Sequence, residues 1–99
     1  MKAHTLETQT TVTPDKALNF LKEGNQRFVN NLKANRDLLE QVNATRAGQW
    51  PFAVVLSCID SRTSAELIFD QGLGDVFSIR IAGNFVNQDI LGSMEFGCN

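Results

Sequence analysis

The chain has 99 residues, of which 42% are hydrophobic and 20% charged, and its net charge at pH 7 is −2, so we expect one globular domain. Residues 51–99 hold two Lys or Arg against six Asp or Glu, which argues against nucleic acid as a partner. No apolar run approaches the roughly 20 residues that span a bilayer. Residues 1–12 also lack the apolar block of a secretory signal, so we expect a cytoplasmic protein without membrane partners.

The amino-terminal half predicts an arm and two helices. Residues 1–12 are polar and rich in threonine, which predicts a flexible arm before a single domain over residues 13–99. Thr13-Pro14-Asp15 is typical of a helix start, and apolar residues then recur at helical spacing to about residue 33. A second helix is predicted from about Asp37 to Ala47. These helices either embrace a partner subunit or cover a sheet, and the pattern leaves both interpretations open.

The carboxyl-terminal half predicts a parallel strand–helix–strand unit of an α/β fold. Phe52 to Ser57 is a continuous apolar strand, which indicates burial on both faces. A short helix follows from about Thr63, and Val76 to Ala82 form a second strand, expected to lie parallel to the first. The last helix is predicted from about Asn87 to Cys98. Its expected core residues are Ile90, Leu91, Met94 and Phe96.

Reactive side chains follow the first strand. Cys58, Asp60 and Arg62 occupy alternate positions and would face the same way if the backbone stayed extended. The carboxyl ends of strands are where open α/β sheets place their sites. A thiolate and a carboxylate are both zinc ligands, and Arg62 is spaced to form a bidentate pair with Asp60. This stretch therefore predicts a metal or catalytic site.

Other interpretations of the same residues remain open. Cys58 and Cys98 are equally typical of small buried apolar side chains, and a redox role for Cys58 would need a depressed thiol pKa. Arg62 and Asp60 could form a plain ion pair, and Arg80 could pair with Asp75 or with a helix end. His4, the only histidine, is expected to be solvated in the arm.

Several ordered motifs make the chain resemble the β-class carbonic anhydrases. The similarity spans about residues 49–96, and residues 14–48 fit the two amino-terminal helices of that family less distinctively. The motifs are Ser57-Cys58-Ile59-Asp60-Ser61-Arg62, Glu66-Leu67-Ile68-Phe69, Gly74-Asp75-Val76-Phe77, Arg80-Ile81-Ala82-Gly83-Asn84 and Gly92-Ser93-Met94-Glu95.

The resemblance implies a role for each matching residue. Cys58 matches the first zinc-ligating cysteine of the family. Asp60 and Arg62 match its Asp–Arg dyad, in which the aspartate accepts a hydrogen bond from zinc-bound water or occupies the fourth zinc position. Gln49 matches a glutamine that donates to bicarbonate, typically across a dimer interface, and Phe77 an apolar residue of the carbon dioxide pocket. The implied activity is reversible hydration of carbon dioxide by zinc-bound hydroxide.

The family's other two zinc ligands come from a His-x-x-Cys motif after the next strand, and this sequence has no match to it. Cys98 and His4 are the only other residues of those types, and we expect Cys98 to lie too far along its helix to complete the site of Cys58 in the same chain. The chain is interpreted as a truncated β-carbonic-anhydrase-like fold whose sheet is completed by oligomerisation. Antiparallel pairing of two chains along strand 52–57 is one arrangement, and the family's helical dimer surface is another.

Two functions therefore compete. The first is a minimal carbonic anhydrase whose zinc site is completed by a partner chain, acting on carbon dioxide and bicarbonate. The second is a non-catalytic oligomerising or bicarbonate-binding module that keeps the first half of the fold.

Overall fold

The structure is a computed structural model, and it describes residues 4–83 and 85–98. The chain forms five α-helices, one 3-10 helix and two strands within those residues. In chain order these are α1 (Leu6–Thr11), α2 (Pro14–Val29), α3 (Leu38–Ala44), β1 (Ala53–Cys58), the 3-10 helix (Ser61–Thr63), α4 (Ala65–Ile68), β2 (Val76–Ile81) and α5 (Gln88–Cys98).

Helix α1 lies in the stretch for which the sequence predicts a flexible arm. It begins with a capping box, in which the Thr5 side chain accepts from the Thr8 amide and the Thr8 side chain accepts from the Thr5 amide. The ring of His4 lies 5.1 Å from that of Phe52 and 6.0 Å from that of Phe20. His4 is therefore half-buried against the sheet instead of solvated as predicted. Residues 1–3 of the predicted arm lie outside the described residues.

The two predicted helices after the arm are present as α2 and α3. The Thr13 side chain caps α2 by accepting from the Lys16 amide, as the Thr-Pro-Asp start predicts. The Asp37 side chain caps α3 by accepting from the Glu40 amide. Both helices end about three or four residues earlier than predicted, because Asn31 takes a left-handed conformation with φ 57° after α2 and Thr45 ends α3.

Strands β1 and β2 pair in parallel, with Ala53 opposite Val76 and Cys58 opposite Ile81. The predicted parallel strand–helix–strand unit is thereby confirmed. The prediction that the first strand is buried on both faces is wrong, since every residue of β1 is only half-buried. In the part of the chain that the structure describes, the sheet has two strands, so the far edge of β1 has no neighbour there.

Helix α5 covers one face of the sheet through its carboxyl-terminal end. A Cβ placed on Gly97 would lie 2.6 Å from the Val54 side chain and 3.2 Å from that of Phe77. Leu91 and Phe96, two of its predicted core residues, are 50% and 79% exposed. That prediction is wrong because the two-stranded sheet is too narrow to cover the whole apolar flank of the helix.

A buried carboxylate joins α2 to the turn before β2. Asp70 accepts from the Arg27 guanidinium (2.5 Å), the Arg36 guanidinium (2.7 Å) and the Ala34 amide (2.8 Å). Burial opposes ionisation of Asp70, but these hydrogen bonds outweigh it and lower its pKa to about 2. The ionised form thereby ties the helical half of the chain to the α/β half.

The described residues include no helix that is both long enough and apolar enough to cross a membrane.

Candidate metal and catalytic site

The candidate site lies where β1 ends. Cys58 is the last residue of the strand, and the backbone then turns so that Asp60 precedes the 3-10 helix. The sequence predicts that Cys58, Asp60 and Arg62 face the same way only if the backbone stays extended. Because the chain turns after Cys58, the three residues do not lie along one face of a strand. They are grouped by a tight turn, because the Asp60 carboxylate accepts from the Arg62 amide at 2.9 Å and holds the chain back on itself.

The Asp60 carboxylate accepts several hydrogen bonds from the Arg62 side chain. Nε of Arg62 lies 3.0 Å and 3.2 Å from the two carboxylate oxygens, and Nη2 lies 2.6 Å from Oδ2. The predicted bidentate pair is thus present. Hydrogen bonds from the side chain and then the backbone of Arg62 lower the pKa of Asp60, so the carboxylate is kept ionised as a hydrogen-bond acceptor.

Cys58 carries a free, half-buried thiol. Backbone hydrogen bonds from Gly83 and then from Asp60 lower the pKa of Cys58 and outweigh the opposing charge of the Asp60 carboxylate. This lowering favours the thiolate, which is the form that binds zinc. Backbone N–H groups, rather than a cationic side chain, thus offset the charge of Asp60 at this thiol.

Arg80 is the residue of this region whose place the sequence does not predict. Instead of pairing with Asp75 or a helix end, it donates from Nε to the Cys58 carbonyl (2.9 Å) and from Nη2 to the Asp60 carbonyl (2.5 Å). It lies opposite Ser57 in the parallel register. One feature of the sequence hints at this role: Arg80 is a single arginine in an otherwise apolar strand, close to the position at which the neighbouring strand ends.

Gln49 and Phe77 lie at the opposite end of the sheet from Cys58. Gln49 is exposed beside Gly74, before β1 begins. Phe77 pairs with Val54 and contacts Phe96, with ring centroids 6.4 Å apart. Val54 and Cys58 are four positions apart along the strand, or about 13 Å at the usual rise. The structure therefore does not bring Gln49 and Phe77 to the thiol of the same chain.

The two remaining candidate ligands also lie away from Cys58. His4 contacts Phe52, just before β1, and its Nε2 lies 3.8 Å from a carboxylate oxygen of Asp75, just before β2. Cys98 is exposed and lines a pocket of about 610 Å³ together with Ala53 and Val54. Both residues therefore lie near the amino-terminal ends of the strands, away from Cys58.

The donor set can be tested against the zinc that the resemblance implies. Cys58 offers a thiol that is biased toward the thiolate, and Asp60 offers a carboxylate two residues away. Among residues 4–83 and 85–98, no group of three or more His, Cys, Asp and Glu side chains lies close enough together to hold a metal ion. The described residues therefore match part of a zinc site, and the three protein ligands of a catalytic site are not found together in them.

Comparison with known proteins identifies similar sequences. A family model described as carbonic anhydrase matches residues 53–99. Carbonic anhydrase 2 of Mycobacterium tuberculosis is 45% identical over 84 residues, which cover 84% of this chain and 41% of that protein. The carbonic anhydrase of Mycolicibacterium smegmatis is 45% identical over 85 residues, with the same two coverages. The carbonic anhydrase of Synechocystis sp. is 40% identical over 67 residues, or 67% of this chain and 23% of that protein. The chain spans about two fifths of the length of its mycobacterial relatives.

Proposed function

Because the chain belongs to the carbonic anhydrase family, we propose that it contributes part of a β-class zinc site for the reversible hydration of carbon dioxide. Cys58 provides one metal ligand and the Asp60–Arg62 pair provides the dyad beside it. The remaining ligands come from a partner chain. Zinc, when bound, makes hydroxide available near neutral pH.

The observation that carries this proposal is the geometry around Asp60. Arg62 donates three hydrogen bonds to the Asp60 carboxylate, one from its backbone amide and two from its side chain. These bonds restrict rotation of the Asp60 side chain and keep its carboxylate ionised. A fixed, ionised acceptor beside a thiol of lowered pKa is able to orient a water molecule or bicarbonate by accepting a hydrogen bond. The lowered pKa of the Cys58 thiol at the adjacent strand end supports a metal-ligating role for it.

We further propose that Gln49 and Phe77 act across an interface between two chains. Both lie at the end of the sheet away from Cys58 of their own chain. A second copy would have to present them, Gln49 as the donor to bicarbonate and Phe77 as an apolar wall. A homodimer or higher homo-oligomer is therefore part of the proposal.

Pairing of two chains along the open edge of β1 is one way to build that oligomer. Ala53 to Cys58 contain no charge or proline that would discourage edge pairing. Opposite residues in an antiparallel pair share a face, so a register centred on Leu56 sets Val54 of one chain against Cys58 of the other. Because Cys98 lines a cavity with Val54, the second copy's Cys98 would approach Cys58. A monomer in sedimentation velocity, or no Cys58–Cys98 peptide after mild oxidation, would contradict this arrangement.

Metal binding and turnover test the proposed function. Purified chain should retain zinc by elemental analysis, and Cys58→Ser should lose it together with any carbon dioxide hydration measured by stopped flow. Since a zinc site holds one metal, a content far below about one zinc per two chains would reject the enzyme. Cys98→Ser is the matched variant: retained zinc places the other ligands elsewhere, and lost zinc supports a ligand from a second chain.

A second candidate is a non-catalytic module that binds bicarbonate or assembles with other chains. It is favoured by the finding that no three metal-ligating side chains cluster in the described residues. In that case the chain should bind bicarbonate in an Arg62-dependent manner and show no hydration rate above background. We propose a cytoplasmic location for either function, because both cysteines are free thiols and thiols persist in reducing compartments.

A further inference from the structure

Arg80 holds the backbone of the candidate site at two points. It extends from β2 toward the end of β1, where its Nε donates to the carbonyl of Cys58 at 2.9 Å and its Nη2 to the carbonyl of Asp60 at 2.5 Å. These two carbonyls flank Ile59. A guanidinium is planar and presents its donors at fixed spacing, so the two contacts together set the distance and direction between residues 58 and 60.

The contacts of Arg80 lie where the backbone pairing between β1 and β2 ends. The last paired position of β1 is Cys58 with Ile81, and the chain must then turn into the 3-10 helix. The Asp60 carbonyl also accepts from the amide and the hydroxyl of Thr63, at 3.1 Å and 3.0 Å. Hydrogen bonds from Arg80 therefore stabilise the start of the turn, and hydrogen bonds from Thr63 stabilise its end.

Arg80 and Arg62 perform different tasks at Asp60. Arg62 binds the carboxylate, whereas Arg80 binds the backbone carbonyl of the same residue. Within the described residues, Arg80 forms no ion pair of 4.0 Å or less. The carboxylate of the nearby Glu66 accepts from Ser64 and Ser78 instead. The guanidinium is thus available to the two carbonyls, and its donor geometry, beyond its charge alone, accounts for the contacts.

We infer that Arg80 is a positioning residue of the candidate site: by bridging the carbonyls of Cys58 and Asp60, it fixes the turn that presents the thiol and the carboxylate together. The inference rests on the proposed function for its consequence at the metal, but the clamp itself can be measured without metal. Lysine keeps the charge but lacks two planar nitrogens at fixed spacing, so it should hold the two carbonyls less firmly.

The test compares Arg80→Met and Arg80→Lys with Arg46→Met, which replaces an exposed arginine far from the turn. Amide hydrogen exchange is followed by NMR in the metal-free chain at Arg62 and Thr63, whose amides donate to Asp60. The amide of Phe52, which donates to the Asp75 carbonyl, reports general opening. Loss of charged hydrogen bonds should raise exchange at Arg62 and Thr63, relative to Phe52, by about tenfold in Arg80→Met. The increase should be smaller in Arg80→Lys and absent in Arg46→Met.

A second readout separates positioning from a purely structural role. Cobalt(II) is titrated into each variant, and the thiolate-to-metal absorption band reports binding at Cys58. Arg80→Met should weaken the apparent cobalt affinity by about tenfold or more, as loss of a group that orients metal ligands does. Unchanged relative exchange in Arg80→Met overturns the inference. So does raised exchange with unchanged cobalt affinity. If the unsubstituted chain binds no cobalt, the proposed function fails, whereas the exchange ratio still decides whether Arg80 holds the turn.

Discussion

Gly24 of α2 lies directly against the backbone carbonyl of Phe69, so that a Cβ on residue 24 would stand 1.6 Å from the carbonyl oxygen. The contact joins the long amino-terminal helix to the segment between β1 and β2. Nearby, Asn25 donates to the Ile68 carbonyl at 3.0 Å. The glycine that weakens the helix on propensity alone therefore permits the packing that holds the two halves together.

Gly24→Ala should lower the free energy of unfolding by about 2–4 kcal/mol, because backbone atoms on both sides must move to admit the methyl group. Urea unfolding followed by circular dichroism measures the change. Gly92→Ala is the matched control, since nothing lies within 4 Å of a Cβ at that position of α5, and it should raise stability by about 0.5–1 kcal/mol. Equal effects of the two substitutions would contradict the close approach.

Asp70 should make stability depend on pH in the acid range. Its pKa is about 2 in the folded chain, below the ordinary value of 3.8, so it contributes about 2 kcal/mol that is fully present above pH 4. The contribution is lost as the pH falls through about 2, because the folded state must then protonate a carboxylate that its arginine partners hold ionised. Urea unfolding at several pH values between 5 and 2 measures the slope. Asp70→Asn should be less stable at pH 5 and show a shallower slope, and an unchanged slope would refute the assignment.

The buried amide of Gln41 should anchor α3. Its side chain is 2% exposed, and Oε1 accepts from the Leu73 amide at 3.1 Å. Gln41→Leu leaves that amide without this acceptor and should cost about 2 kcal/mol of unfolding free energy. Gln26→Leu, on an exposed face of α2, should change it by less than about 0.5 kcal/mol. Comparable urea midpoints for the two variants would argue against the anchor.

Helix α1 should be docked in solution through two side chains. His4 contacts the rings of Phe20 and Phe52, and the Gln9 amide group donates to the Pro51 carbonyl at 2.7 Å. The double variant His4→Ala, Gln9→Leu should speed exchange of the α1 amides by about tenfold, since a helix this short is marginal without tertiary contacts. Glu7→Gln, exposed on the same helix, is the control. Rapid exchange of α1 already in the unsubstituted chain would favour the flexible arm that the sequence predicts.

Local signals account for the parts of the fold that the sequence predicts well. Thr13 and Asp37 mark helix starts because a cap is satisfied by amides within three residues of it. The parallel pairing of β1 with β2 follows from two apolar runs joined by a helical crossover. The residues around Cys58 also carried the resemblance that the family comparison bears out.

The candidate site is only partly predictable from the sequence, because some of its contacts join residues that are distant along the chain. The pairing of Arg62 with Asp60 is local and was predicted, whereas the contact of Arg80 with the same turn joins residues that are 20 and 22 positions apart. The distance of Gln49 and Phe77 from Cys58 depends on the strand direction and register. The exposure of Phe96 depends on the width of the sheet beneath α5, which hydrophobic periodicity does not report.

By itself, the sequence determined where most of the helices and strands start, which family the chain belongs to, and that a thiol, a carboxylate and a guanidinium follow β1. The tertiary structure alone decided that the chain turns after Cys58, that Arg80 holds this turn, and that Gly24 is a contact point. Capping and hydrophobic periodicity act over a few residues and can be read along the chain. The turn, the clamp and the close approach arise between segments that meet only after folding.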